Sequence, residues 1–396
     1  MSGYKARLSS IDHILNADII HLSKLKELSL GGIPDEGGRR ALSWKILLGY
    51  LPLQRTKWKD ILDQKRCQYQ NFIREMVVDP SLLSKSKSSP EVEDHPLNPS
   101  PDSQWRSFFD DNQILTQIDK DVRRLCPDMM FFQRGTDYPC LQVVGEEGVE
   151  RLHRRVTTET LSAAAVTRKG LGINKIEASR KSVATEDYKP LPPGSEAHWE
   201  VVERILFIYA KLNPGQSYVQ GMNEIIGPLY YTFATDPDLG MRQHAEADTF
   251  FCFISLMAQA RDLFIRTLDK SSSGIGAMMD RLMKNLKHHD TQLFNHLQSQ
   301  ELKPQYYSFR WLTLLLSQEF DMPDLIQVWD TLFSDNGGFG YLIQICTAMI
   351  VLQRDTILAS DFANNVKLLQ RYPPIDVRII IQKGLKNINF KKKKIS

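Results

Sequence analysis

Apolar residues recur along this chain at intervals of three and four, the spacing that lines one face of a helix, over most of its length. Residues 11 to 31 carry Ile11, Ile14, Leu15, Ile19, Ile20, Leu22, Leu25 and Leu28 and stop at Gly31-Gly32. A second helix follows through Arg40, Trp44, Ile46, Leu47 and Leu48, and residues 52 to 78 continue with Trp58, Ile61, Leu62, Tyr69, Phe72, Ile73 and Met76. From Trp105 to Leu125 the residues Phe108, Leu115, Ile118, Val122 and Leu125 fall on about one third of the wheel. His198 to Leu212 repeats the pattern, the breaker Asn213-Pro214-Gly215 interrupts it, and Met222, Ile225, Ile226, Leu229, Tyr230 and Phe233 form the next stripe. Glu246 to Phe253, Phe309 to Leu316 and Leu325 to Asp330 read as further buried helices. Strand-like alternation never lasts beyond a few residues, so the pattern predicts an all-α fold.

Two stretches break the periodicity. Pro80 to Ser103 is rich in Ser and Pro and reads as a linker. Residues 144–194 are dominated by Ser, Thr, Lys and Glu, hold Tyr188 as their sole aromatic and close on Pro190, Pro192 and Pro193. So polar a segment predicts a surface excursion that contributes little burial, with a helical turn or two between Glu150 and Thr158. Gly227-Pro228 inside a helix predicts a kink, because proline lacks a donor N–H.

Composition narrows the function. With 396 residues, 42% of them hydrophobic, the chain can bury a large core as one big domain or two subdomains. Five scattered cysteines, Cys67, Cys126, Cys140, Cys252 and Cys346, form no C-x-x-C pair, which speaks against a zinc site and for a reducing compartment. Neither a signal-peptide core nor an apolar run of about 18 residues is present, so the expectation is a soluble cytoplasmic protein. The net charge of +3 hides an asymmetry: Arg378 to Ser396 carries seven positive charges and no acidic residue, which leaves the rest of the chain acidic overall. An acidic body argues against nucleic-acid binding, while Lys391 to Lys394 read as a solubilising tail able to add weak affinity for anionic membrane. His288, His289 and Asp290 lack a third partner at metal-ligand spacing, so no metal site is expected.

Candidate chemistry resides in two short stretches. Gln220 lies about 150° from the centre of the Met222 to Phe233 stripe, at or just before the helix start, where free backbone N–H groups and the dipole favour anions. Asp121 with Arg124, and Asp119 with Arg123, form charge pairs on opposite flanks of the Trp105 to Leu125 helix. Periodicity does not distinguish them.

Tyr218-x-Gln220-Gly221-Met222 resembles the glutamine-finger motif of TBC-domain proteins, which activate the GTPase reaction of Rab small G proteins. Ile118, Asp121 and Arg124 resemble the arginine-finger pattern I-x-x-D-x-x-R of the same family, and the two motifs occur in the family's order. Gly32, Ile33, Pro34, Arg40 and Trp44 resemble its opening motif, and Trp311, Trp329 and Asp330 its closing blocks; these are assigned to structure. The resemblance runs from about Leu28 to Tyr372. It implies two helical subdomains meeting at a groove that holds both fingers, with residues 1–27 a helical extension, 28–372 the Rab-GAP domain and 373–396 a basic tail. It also implies that Arg124 and Gln220 are the catalytic pair, supported by Asp121, Ile118, Tyr218, Gly221 and Met222, and leaves Arg123 to the surface. The implied partner is a GTP-bound Rab that brings its own GTP and magnesium, and the implied role is control of vesicle trafficking. No motif for autonomous catalysis is present, neither G-x-x-x-x-G-K-[ST] nor G-x-S-x-G nor H-E-x-x-H, so the chain is expected to be an activator without turnover of its own. The competing expectation is a Rab-binding scaffold that accelerates nothing.

Overall fold

The computed structural model describes residues 2–77, 104–145, 151–156, 188–264, 274–336 and 339–395. The linker expected at 80–103 lies outside them, as do 146–150 and 157–187 of the expected insertion. Among the described residues the only β pairings are two isolated bridges, and everything regular is helix. The chain divides into two compact units, residues 1–63, 231–242 and 251–396, and residues 64–230 and 243–250.

The first unit begins with α1 (Ser2–Leu15), α2 (Leu22–Ser29) and α3 (Arg39–Leu47). Its core gathers Trp44 of α3 with Trp329 and Phe333 of α14 (Met322–Phe333), at ring-centroid distances of 6.0 and 5.0 Å. Asp330 is fully buried in this apolar surround and tolerated because it is saturated with donors: Trp44 Nε1 at 2.7 Å, the Ile33 amide at 2.6 Å and Arg40 Nε at 3.2 Å. Burial still dominates, lifting the Asp330 carboxyl to about 6. The residues Gly32 to Pro34, Arg40, Trp44, Trp329 and Asp330 thus share one structural cluster. Trp311 is buried elsewhere in the same unit, between Tyr307 and Tyr372. A central helix, α15 (Gly340–Leu352), is buried from Leu342 to Ile350, with the buried Gln344 and Thr347 hydrogen-bonded to Asn285.

The basic tail proves to be α18 (Val377–Ile395), whose first turns bury Val377, Ile380 and Ile381. Three apolar residues at helical spacing seat those turns despite the basic composition of the segment.

In the second unit the middle is α7 (His198–Leu212), buried from His198 to Ala210. Around it stand the later part of α4 (Trp58–Met76), α5 (Gln104–Val122), the short α6 (Leu141–Val144), a helical stretch at 152–156, and the starts of α8 (Met222–Ala234) and α10 (Ala245–Phe264). A helix sunk this deeply needs its charges paired. Arg204 is held by Glu196 and by Glu246, the latter at 2.6 and 2.8 Å, and Glu246 also accepts from the Tyr69 hydroxyl at 2.8 Å. α8 runs through Pro228 without interruption.

The expected surface excursion needs correction at its described ends. Arg151, Leu152, His153, Arg155 and Val156 are buried. Arg151 pairs with Glu200 of α7 at 3.1 Å, and Arg155 donates to Asn112 of α5 at 2.7 and 3.0 Å while lying over Phe207. These arginines read as polar in the sequence, yet their stems and guanidinium planes pack once a carboxylate or amide is in reach.

Candidate functional site

Both candidate fingers belong to the second unit. α5 ends at Val122 rather than Leu125, and the chain tightens into a turn in which the Arg124 amide donates to Asp121 O and the Leu125 amide to Val122 O, each at 3.2 Å. Cys126 follows with a left-handed φ of 46°. Arg124 therefore sits on this turn instead of a helix flank, with its side chain exposed. On the other stretch the chain leaves α7, bends through Asn213 to Ser217 and enters α8 at Met222, with Gln220 exposed just before the first helical residue. Gly221, at φ 100°, makes that entry in a conformation that a side chain would strain. Ile118 and Met222 are fully buried beneath the two stretches.

Asp121 and Tyr218 join them. The buried Tyr218 hydroxyl lies 2.7 Å from Asp121 Oδ2 and 3.3 Å from Asn223 Oδ1, and its single proton goes to the shorter, charged contact. Asn223 Nδ2 reaches back to the Asp121 carbonyl at 3.4 Å. Burial raises the Asp121 carboxyl above the ordinary range, opposed by the Tyr218 bond and the charge of Arg124. Burial likewise keeps Tyr218 protonated, as its role of donor requires. Deeper down, a Cβ on Gly227 would meet Leu125 Cδ1 at 3.1 Å, so the absence of a side chain lets α8 approach the turn this closely.

Arg123 is not a surface residue, which corrects the expectation. Its side chain is 15% exposed and clasps Asp119 through Nε at 2.8 and 2.9 Å. It lies over the Trp199 ring at 4.7 Å and donates to the Tyr188 carbonyl at 2.9 Å. Beside it Glu203, fully buried, has its carboxyl pushed far up by desolvation and by the charge of Asp119. Tyr188, expected to belong to a surface excursion, is buried against the finger turn. Its standing as the one aromatic in a polar segment was the signal for that, since a large apolar side chain in such surroundings seeks burial. Asn223 was missed because a lone Asn after a motif carries no periodic signal.

The sequence model of the Rab-GTPase-TBC domain, RabGAP-TBC, matches residues 194–358. TBC1 domain family member 13 of Homo sapiens is 52% identical over 96% of this chain and 97% of its own length. The chain belongs to the TBC-domain family. TBC domain-containing protein C1952.17c of Schizosaccharomyces pombe is 36% identical over 94% of this chain and 71% of its own. The crystal structure of the Ypt/Rab-GAP domain of Gyp1p shares the fold, with a TM-score of 0.66 at 21% identity over 98% of this chain and 99% of that one. In this TBC chain the matched segment begins at Gly194 and includes Gln220, whereas Arg124 and its turn lie upstream of it. No group of three His, Cys, Asp or Glu able to hold a metal occurs among the described residues, and no described helix is long and apolar enough to cross a membrane.

Proposed function

We propose that this chain is a GTPase-activating protein for a Rab-family small GTPase and that it donates Arg124 and Gln220 in trans. Phosphoryl transfer asks little covalent chemistry of the protein and much positioning and charge stabilisation, so a partner can complete a slow site by adding two groups. Arg124 neutralises charge developing on the transferred phosphoryl, and Gln220 orients the attacking water. GTP and magnesium come with the Rab, and the chain needs no cofactor of its own. An arginine supplied this way is worth about 10³ to 10⁵ in rate, or about 4 to 7 kcal/mol of barrier. The observation that carries the reading is the 2.7 Å bond between Tyr218 and Asp121, which ties together the two turns bearing exposed Arg124 and exposed Gln220. Family membership and the Rab-GAP fold support it. Peripheral recruitment to anionic membrane through Lys391 to Lys394 belongs to the same reading.

Single-turnover GTP hydrolysis across a panel of purified Rabs, with and without the chain, tests it. Arg124→Ala is expected to lose about 10² to 10³ or more in rate, and Arg124→Lys to recover little because an ammonium lacks the planar fork. Gln220→Ala is expected to fail, while a Rab lacking its own water-positioning glutamine still responds to the wild-type chain. Lys120, exposed one turn earlier, is the charge control and retains activity as Lys120→Ala. Full activity in Arg124→Ala removes the finger assignment, and Rab binding without acceleration on every Rab makes the chain a scaffold.

A further inference from the structure

The turn that presents Arg124 has a problem that its own helix cannot solve. At the end of α5 the last carbonyls have no intrahelical donors. Those of Asp121 and Val122 are taken by the amides of Arg124 and Leu125, and the carbonyls of Arg123 and Leu125, the residues that flank Arg124, need donors from elsewhere. Both are satisfied by one residue from far along the chain. The Tyr188 amide donates to Arg123 O at 3.3 Å, and the Tyr188 hydroxyl donates to Leu125 O at 2.6 Å. Its carbonyl in turn accepts from Arg123 Nη1 at 2.9 Å, the guanidinium that Asp119 and Trp199 already hold flat. Tyr188 is 5% exposed, and burial lifts its hydroxyl to about 12, so it remains a donor throughout the range in which the protein is used.

We infer that Tyr188 is a positioning residue for the arginine finger: it fixes the carbonyls of the two residues that flank Arg124, Arg123 and Leu125, and so sets the direction in which the Arg124 side chain leaves the surface. This rests on the reading of Arg124 as the finger. It makes the end of the polar 144–194 segment a working part of the site, since the residue that closes that segment against the domain is the one that holds the finger turn. The chemistry follows from orientation. A guanidinium that must meet a developing charge within a few tenths of an ångström gains from a backbone that does not rock, whereas initial binding, spread over a larger surface, depends on it little.

The test is Tyr188→Phe, which removes the hydroxyl with its bonds to the Leu125 carbonyl and the Gln133 side chain and keeps the ring, the amide and the carbonyl. On the Rab that the wild-type chain accelerates best, we expect the maximal single-turnover rate to fall about tenfold while the half-saturating chain concentration stays within about twofold. Exchange of the Leu125 amide, followed by hydrogen–deuterium exchange, should quicken in the variant. In an Arg124→Ala background the same substitution should cost nothing further, because a residue that acts through Arg124 has nothing left to orient. A Tyr188→Phe chain with an unchanged maximal rate overturns the inference, as does an equal loss in the wild-type and Arg124→Ala backgrounds or a loss confined to half-saturation. Failure of the underlying reading looks different: there Arg124→Ala itself keeps wild-type activity.

Discussion

Arg123 and Arg124 are neighbours with opposite expected phenotypes. Arg123→Ala removes a fork that makes two bonds to Asp119, one to the Tyr188 carbonyl and a face-on contact with Trp199. It also strands the buried Asp119 carboxylate next to the buried Glu203. Breaking a fully buried pair from one side costs about 3 to 5 kcal/mol, and residual side-chain exposures of 15% and 10% put this pair at the lower end, about 3 kcal/mol. At about 2 to 4 °C per kcal/mol for a cooperative unit of this size, the melting temperature should drop by about 6 to 12 °C. Because part of that cost is the stranded charge, Asp119→Asn introduced into the Arg123→Ala chain should restore about 1 to 2 kcal/mol. Arg124→Ala, by contrast, removes an exposed side chain and should move the transition by no more than about 0.5 kcal/mol while abolishing most of the activation. Calorimetry with single-turnover hydrolysis on the same preparations separates the two. If Arg123→Ala melts with the wild type, the clasp beneath the finger turn contributes nothing and the structural role assigned to it is wrong.

Two further outcomes follow from the second unit. His198 is stacked on Phe131 and accepts from or donates to the Tyr230 hydroxyl at 2.7 Å, and burial depresses its imidazole to about 4. A depressed base stabilises the fold fully above its unfolded value of about 6.5 and loses that contribution as pH falls toward 4, so about 2 kcal/mol should vanish between pH 6.5 and 5; His198→Gln should flatten the slope in pH-dependent denaturant melts. Deleting residues 144–194 behind a short linker removes the Arg151 and Arg155 anchors and Tyr188 together, and calorimetry should show a transition lowered by more than about 10 °C; wild-type melting would mean that the described ends add no stability.

Much of this was legible one-dimensionally because helices write their buried face into the sequence at a fixed period. The stripes at His198 to Leu212 and Met222 to Phe233 became α7 and α8, and Gly32, Arg40, Trp44 and Asp330 converge in the first unit as their apolar and saturating character demands. Helix ends were less legible. Leu125 continues the apolar stripe of α5, but its burial against Gly227 is achieved from a turn, and periodicity cannot tell a final helical turn from a tightened one.

What the sequence determined alone was the helical class, the order of the apolar stripes and the two short motifs on which the proposed chemistry rests. What only the tertiary structure decided was which charges lie at the surface and which are buried. Arg123 and Arg124 are chemically identical and adjacent, and Asp119 and Asp121 offer each the same partner type. The difference lies in Trp199, Tyr188 and Glu203, which come from distant parts of the chain to bury one pair, while Tyr218 takes Asp121 and Arg124 is left at the surface. Desolvation depends on every neighbour in three dimensions, so a side chain's charge is written in its own letter and its availability in the packing around it.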